Sequence, residues 1–360
     1  MAERARRRGP GAGRARGTGR VSLRVLRFAV LLVAVLPVPA LAAPGPLDPA
    51  KTAAPSDKKT TPELPSPYTP NYSRGAVPPS NGQPADLAYG AYQRGQYVTA
   101  FREATKRIEA NPKDAAAMTL LGELYNQGLG IKQNPVKAAE WYRLAAAQND
   151  AAAMSSLGLM ALDGRGMPKD PKAGRRWLEQ ATANGSATAA YNLGLILIGT
   201  GATADEAAAA AQFRKAAEAE IGPAQHDLGV LYLQGRGVPK DASQAAQWFR
   251  RGADNGDLAS EVEYAILLFN GNGVTKDERS AARYFLHAAS RGNAIAQNRV
   301  ARLYAVGRGV AKNPIEAAAW NLAAAAQGLS DAWLDQTLSG LSGEERTRAE
   351  RLANERIEQR

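Results

Sequence analysis

Two histidines, His226 and His287, are the only imidazoles in the chain of 360 residues, and there is no cysteine. A metal centre or a nucleophile–base pair needs several such donors brought within ligating or hydrogen-bonding reach. These two lie in different copies of a repeat, on different helix types, and make no such set. The sequence has no G-x-S-x-G, phosphate-binding G-x-x-x-x-G-K-[ST] or paired-carboxylate motif. What recurs is G-x-G, at Gly128/Gly130, Gly164/Gly166, Gly235/Gly237, Gly271/Gly273 and Gly307/Gly309. A nucleotide loop follows a strand and opens a helix at its glycines; here the glycines close a helical pattern instead. Asp170, Asp241 and Asp277 stand just before helical segments, where capping accounts for them. No catalytic, cofactor-binding or metal residue is assigned, and the reading is a protein that is not an enzyme and needs no cofactor.

The glycines belong to elements that repeat. The pairs Leu121-Gly122, Leu157-Gly158, Leu193-Gly194, Leu228-Gly229, Tyr264-Ala265 and Val300-Ala301 are spaced by 36, 36, 35, 36 and 36 residues. An aromatic series, Trp141, Trp177, Phe213, Trp248, Tyr284 and Trp320, keeps the same beat. A fixed period of this length means stacked supersecondary units. Each unit reads as two helices. The first carries apolar residues at helical spacing, as in Ala224, Leu228, Leu231 and Tyr232, and stops at the G-x-G. The second starts after Asn134, Asp170, Asp241, Asp277 or Asn313, three of them followed by Pro at the first helical position. Small residues around the aromatic, such as Ala245 and Gly252 about Trp248, allow close helix approach. Trp248 is expected to be buried between neighbouring pairs.

The third copy departs. "GTGATADEAAAAAQFRKAAEAEIGP" lacks the V-x-K-D of its neighbours, Thr203 with Glu206 is the candidate cap, and Pro223 sits in a short turn. The missing residue is placed between Phe213 and Leu228; two readings stand, an altered crossing angle between copies three and four or simple sequence drift.

These motifs (LG-x-x-Y, G-x-G-V-x-x-D, A-x-x-W, AA-x-x-G) resemble the Sel1-like repeat, a relative of the tetratricopeptide repeat. The resemblance implies an all-α fold, a right-handed α-solenoid of helix pairs, with six repeats over 113–328. Residues 86–112 look like a shorter tetratricopeptide-type leading pair. The polar segment 329–360, with a capping box at Ser342 and Glu345, is expected to cap the array.

The formal charge of +11 divides unevenly. Residues 1–42 hold nine Arg and one Glu, so the remaining 318 carry only +3 (36 basic, 33 acidic). That argues against a nucleic-acid partner. Residues 1–42 read as a signal peptide: Arg up to Arg27, the apolar run Phe28–Leu36, then Ala40-Leu41-Ala42 before a mature start at Ala43. The run is too short to span a bilayer, so no stable membrane insertion is expected after cleavage. Export without Cys points to the periplasm and to a fold held by burial alone. Eleven of residues 43–84 are Pro, and 43–85 is expected to be a disordered linker.

A solenoid presents the first helices of its pairs on a concave face. The tetratricopeptide register places three columns there. The upper holds Thr119, Ser155, Tyr191, His226, Val262 and Asn298. The middle holds Glu123, Leu159, Leu195, Val230, Ile266 and Arg302. The lower holds Asn126, Leu162, Ile198, Leu233, Phe269 and Ala305. In repeats two to five the middle and lower columns are apolar. Two readings stand: a partner-binding groove, or packing of first helix on first helix. Arg175, Arg176, Arg250, Arg251 and Lys215 fall on the opposite, convex face. The resemblance implies a protein partner, an envelope protein or a periplasmic sensor domain, with the chain as adaptor or regulator. It also implies an alternative, binding or hydrolysis of peptidoglycan or β-lactam-type ligands as in cysteine-rich members, whose Cys pairs are lacking here.

Overall fold

The structure, a computed structural model, describes residues 86–358. The expected signal peptide (1–42) and linker (43–85) lie outside the described residues. Those described form sixteen helices and no strand. A leading pair, α1 (Leu87–Gln93) and α2 (Tyr97–Ala110), precedes six pairs: α3 (Ala115–Gln127) with α4 (Pro135–Ala146), α5 (Ala151–Asp163) with α6 (Pro171–Ala183), α7 (Ala187–Gly199) with α8 (Thr203–Glu218), α9 (Gly222–Gln234) with α10 (Ala242–Asp254), α11 (Leu258–Asn270) with α12 (Glu278–Ser290), and α13 (Ala294–Val306) with α14 (Pro314–Ala325). The short α15 (Ala332–Thr337) and the polar α16 (Gly343–Glu358) close the array.

Each boundary has a local cause. Gly128, Gly164, Gly235, Gly271 and Gly307 are left-handed C-caps with φ between 71° and 75°. That conformation costs a side chain about 1 kcal/mol and glycine nothing. Asn134, Asp170, Asp241, Asp277 and Asn313 each accept a backbone N–H two or three residues on, as their sequence positions require. Ser342 and Glu345 close their reciprocal capping box at 2.9 and 3.3 Å.

The second glycine of each G-x-G serves the neighbouring repeat. A Cβ on Gly166 would lie 2.2 Å from the carbonyl oxygen of Pro135, at the start of the preceding repeat's second helix. Gly237 meets Glu206, Gly273 meets Ala242 and Gly309 meets Glu278 in the same way. Backbone therefore touches backbone at these junctions.

Consecutive helices pack along the whole array, and beyond them α3 touches α5, α5 touches α7 and α9 touches α11. No second helix of a pair makes more than a marginal contact with another second helix. First helices crowd together while second helices splay, so the array curves with the first helices inside. Contacts reach only near neighbours, the signature of a solenoid.

The core corrects the aromatic register. Trp248 is half-buried, as are Trp141, Trp177 and Tyr284. In those helices the buried position is the next residue, Tyr142, Leu178, Phe249 and Phe285, whereas in α14 Trp320 itself is buried. Tyr142, Leu178 and Phe249 lie against Gly122, Gly158 and Gly229, where an added Cβ would come within 2.8 Å of each. Phe213 belongs to this buried series, since it meets Gly194 at 2.6 Å. The residue lacking in repeat three is therefore missing from the α7–α8 loop, not between Phe213 and Leu228. There α8 starts early, Thr203 is its first helical residue, and its N-cap is Ala202 with no side-chain bond. Thr200 bridges Asp205 and the Ala202 N–H instead. An added Cβ on Gly201 would meet nothing within 4 Å, so the junction between repeats two and three lacks the close glycine approach found at its neighbours. The turn into repeat four is also altered, with left-handed Glu220 where the turn into repeat two has Asn149 and those into repeats three, five and six have Gly.

Candidate interaction groove

The inner helices carry the columns expected from the sequence. Leu159, Leu195, Val230 and Ile266, and beside them Leu162, Ile198, Leu233 and Phe269, are all half-buried. None is sealed in the core and none stands fully exposed. Leu162, Leu195, Ile198, Val230, Leu233, Ile266 and Phe269 rest one flank on the core clusters. Leu162 explains its own position: its Cγ would lie 2.7 Å from a Cβ on Gly174 of α6. Leu159 belongs to no core cluster and lines a recess of about 210 Å³ with Glu123, Asn126 and Asp163. Each of these seven side chains thus packs inward on one flank and leaves another on the inner surface.

The upper column is polar or sealed. Thr119, Ser155 and Val262 are buried. Tyr191 and His226 are joined through Asp227, which no column contained: the Tyr191 hydroxyl donates to Asp227 Oδ2 at 3.2 Å, and His226 Nδ1 lies 3.0 Å from Oδ1. Burial opposes charge on His226, but the bond to Asp227 and the charges of Asp227, Asp257 and Glu263 outweigh it and raise its pKa above 6.5. Burial likewise raises Tyr191 and Glu263.

The ends of the middle column differ in charge. Glu123 is buried, accepts the Tyr142 hydroxyl at 2.7 Å and a bond from Gln127, and is pushed up by burial. Arg302, at the other end, donates from Nε and Nη2 to Asp331 at 2.6 and 2.9 Å. Those bonds hold Asp331 down at about 2. Beyond Arg302, α15 carries Trp333 over its guanidinium, 5.1 Å from the ring centre. Asp331 and Trp333 follow the last repeat, and the 36-residue period gives them no column, so no sequence signal marked them. On the outer side, Arg175, Arg176, Arg250 and Lys215 are exposed as expected, and Arg251 bonds Glu220.

A stack of helix pairs with a half-buried apolar inner face defines the class of tetratricopeptide-like α-solenoids. The Sel1 repeat matches at 115–150, 151–186, 187–220, 222–257, 258–293 and 294–329, so this chain belongs to the Sel1 repeat family. It is similar to a Sel1 repeat protein from Oxalobacter formigenes at 29% identity and a TM-score of 0.56, over 67% of this chain and 97% of that one. A protective antigen of uropathogenic Escherichia coli with the same repeat class aligns at 27% identity and a TM-score of 0.46, over 76% of this chain and 67% of the other. No curated protein matches. The Sel1 repeat is typically a non-catalytic scaffold that mediates protein–protein interaction.

Proposed function

We propose that this chain is an exported, periplasmic scaffold that docks a protein of the cell envelope on its inner helices and performs no chemistry of its own. The observation that carries the reading is the row Leu159, Leu195, Val230 and Ile266, half-buried on four successive first helices. A core needs such residues sealed, and a solvated face would be polar; a continuous apolar flank fits a docked partner. The periplasmic assignment rests on the Arg-rich, apolar and small-residue order of residues 1–42.

The test combines Leu195→Glu with Ile266→Glu. Each change gives up about half the burial of a large aliphatic side chain, roughly 1 kcal/mol, so the array stays folded with a lowered melt. Partner capture from envelope extract is lost, because a carboxylate desolvated in an apolar groove has no counter-charge. Unchanged capture by the folded double variant would refute the groove, and retention on isolated peptidoglycan in place of protein would favour a cell-wall ligand. Osmotic-shock fractionation with N-terminal sequencing checks export: the released protein should begin at Ala43.

A further inference from the structure

Between α11 and α13, where α15 closes the inner face, lies a pocket of about 420 Å³. That is within the range of sites that hold a ligand group, about 300–1,000 Å³. Its floor is apolar: Ile266, Phe269, Phe285 and Leu303, with Val306 and Trp333 at 48% and 42% exposure at the mouth.

Three guanidiniums edge it. Arg302 is gripped along its Nε/Nη2 edge by Asp331, and its face lies toward Trp333. Arg308 is gripped along the same edge by Glu278 and lies 4.1 Å over Phe269. In both, the acid and the ring fix the guanidinium while its Nη1 edge takes no hydrogen bond among the described residues. Arg299 is exposed and makes no hydrogen bond or ion pair among the described residues; its charge acts only on half-buried Glu263. Asp331 and Glu278 are therefore engaged by hydrogen bonds, whereas Arg299 feels Glu263 only through its charge and keeps its own N–H groups free beside an apolar floor.

Resting on the scaffold reading above, we infer that this pocket anchors an acidic peptide segment of the partner through one large apolar side chain, with flanking carboxylates on Arg299 and the free edges of Arg302 and Arg308. Preset guanidiniums lose little freedom on binding a carboxylate, which favours them as anchors. A basic or neutral segment would leave the N–H groups of Arg299 and the free edges of Arg302 and Arg308 without a carboxylate partner. The opposite end of the groove, with Glu123, Asp163 and Arg165 beside Leu159, lacks such a row of guanidiniums. The segment therefore lies with its acidic part toward α15.

The probes are fluorescein-labelled peptides of about ten residues, read by fluorescence polarisation against the full protein. One has a central tryptophan flanked by glutamates; in the others lysines replace the glutamates, or alanine the tryptophan. Only the first is expected to bind well, with both replacements weaker by about tenfold or more. Arg299→Glu, at an exposed position, should weaken the first probe at least as much while leaving the melt unchanged, and Trp333→Ala should do so through the apolar side. Equal binding of the acidic and basic peptides, no binding of the acidic one at about 1 mM, or indifference to Arg299→Glu would overturn the site. Envelope capture separates the two readings: Arg299→Glu capturing the wild-type set refutes the pocket alone, whereas wild-type protein capturing nothing refutes the scaffold.

Discussion

Gln225, Glu261 and Gln297 occupy the same buried position of three successive repeats. The two glutamines donate to the carbonyl eight residues earlier, Ala217 and Ala289, and receive a bond from Asn255 and Gln327. A carboxylate cannot donate, so Glu261 instead lies 2.8 Å from His287 Nδ1 and 4.0 Å from Arg291. Both partners are about half exposed, and such pairs contribute little. Glu261→Gln should therefore leave the melting temperature unchanged or raise it, since the amide regains the Ala253 carbonyl; Glu261→Ala should cost about 1–3 kcal/mol. A strongly lowered melt for the glutamine variant would show that the His287 pair matters more than the amide pattern. A second ionisable group gives a pH dependence. The folded pKa of His226 is raised, with Asp227, Asp257 and Glu263 facing it. Its stabilisation is complete below the unfolded value near 6.5 and is lost as pH rises through the folded one. Melting curves between about pH 6 and pH 8 should fall more steeply for the native chain than for His226→Gln. Parallel curves would remove this residue from the account.

At the scale of the element, α4, α6, α10 and α12 each present two adjacent large residues, and only the second of them is core. Phe249 is fully buried, whereas Trp248 is half-buried beneath Arg251, whose guanidinium lies 4.7 Å from the ring. Phe249→Ala should cost about 3–5 kcal/mol through the cavity it leaves, and Trp248→Ala roughly 1–2 kcal/mol. Chemical denaturation of both variants decides the order; a larger loss at Trp248 would return the core to the tryptophan series. Sequence spacing could not make this distinction, because both columns recur at the same period. What separates them is the small residue on the facing helix, Gly229, which leaves room for the Phe249 ring and no more.

Across the whole molecule, stability is a sum of repeats and junctions. The junction between repeats two and three is expected to be the weakest, because an added Cβ on Gly201 would meet nothing within 4 Å where those on Gly166, Gly237, Gly273 and Gly309 would meet the preceding repeat's backbone. Hydrogen exchange should accordingly show α7 and the start of α8 opening before α11 and α12. Uniform protection from α3 to α14 would contradict a chain of separable junctions. The sequence by itself determined the helix pairs, their number and their caps outside repeat three. Those are local matters: a left-handed glycine, a capping Asn or Asp, and apolar residues at helical spacing act within one turn, and the period repeats them. Only the tertiary structure decided which of two neighbouring aromatics is core and that the second glycine belongs to the next junction. It also decided that the inner row is half-buried rather than sealed or free. It brought Asp331 and Trp333, which no repeat contains, over Arg302. Each of these depends on the distance between surfaces of different repeats, which the curvature of the array sets and no local pattern encodes.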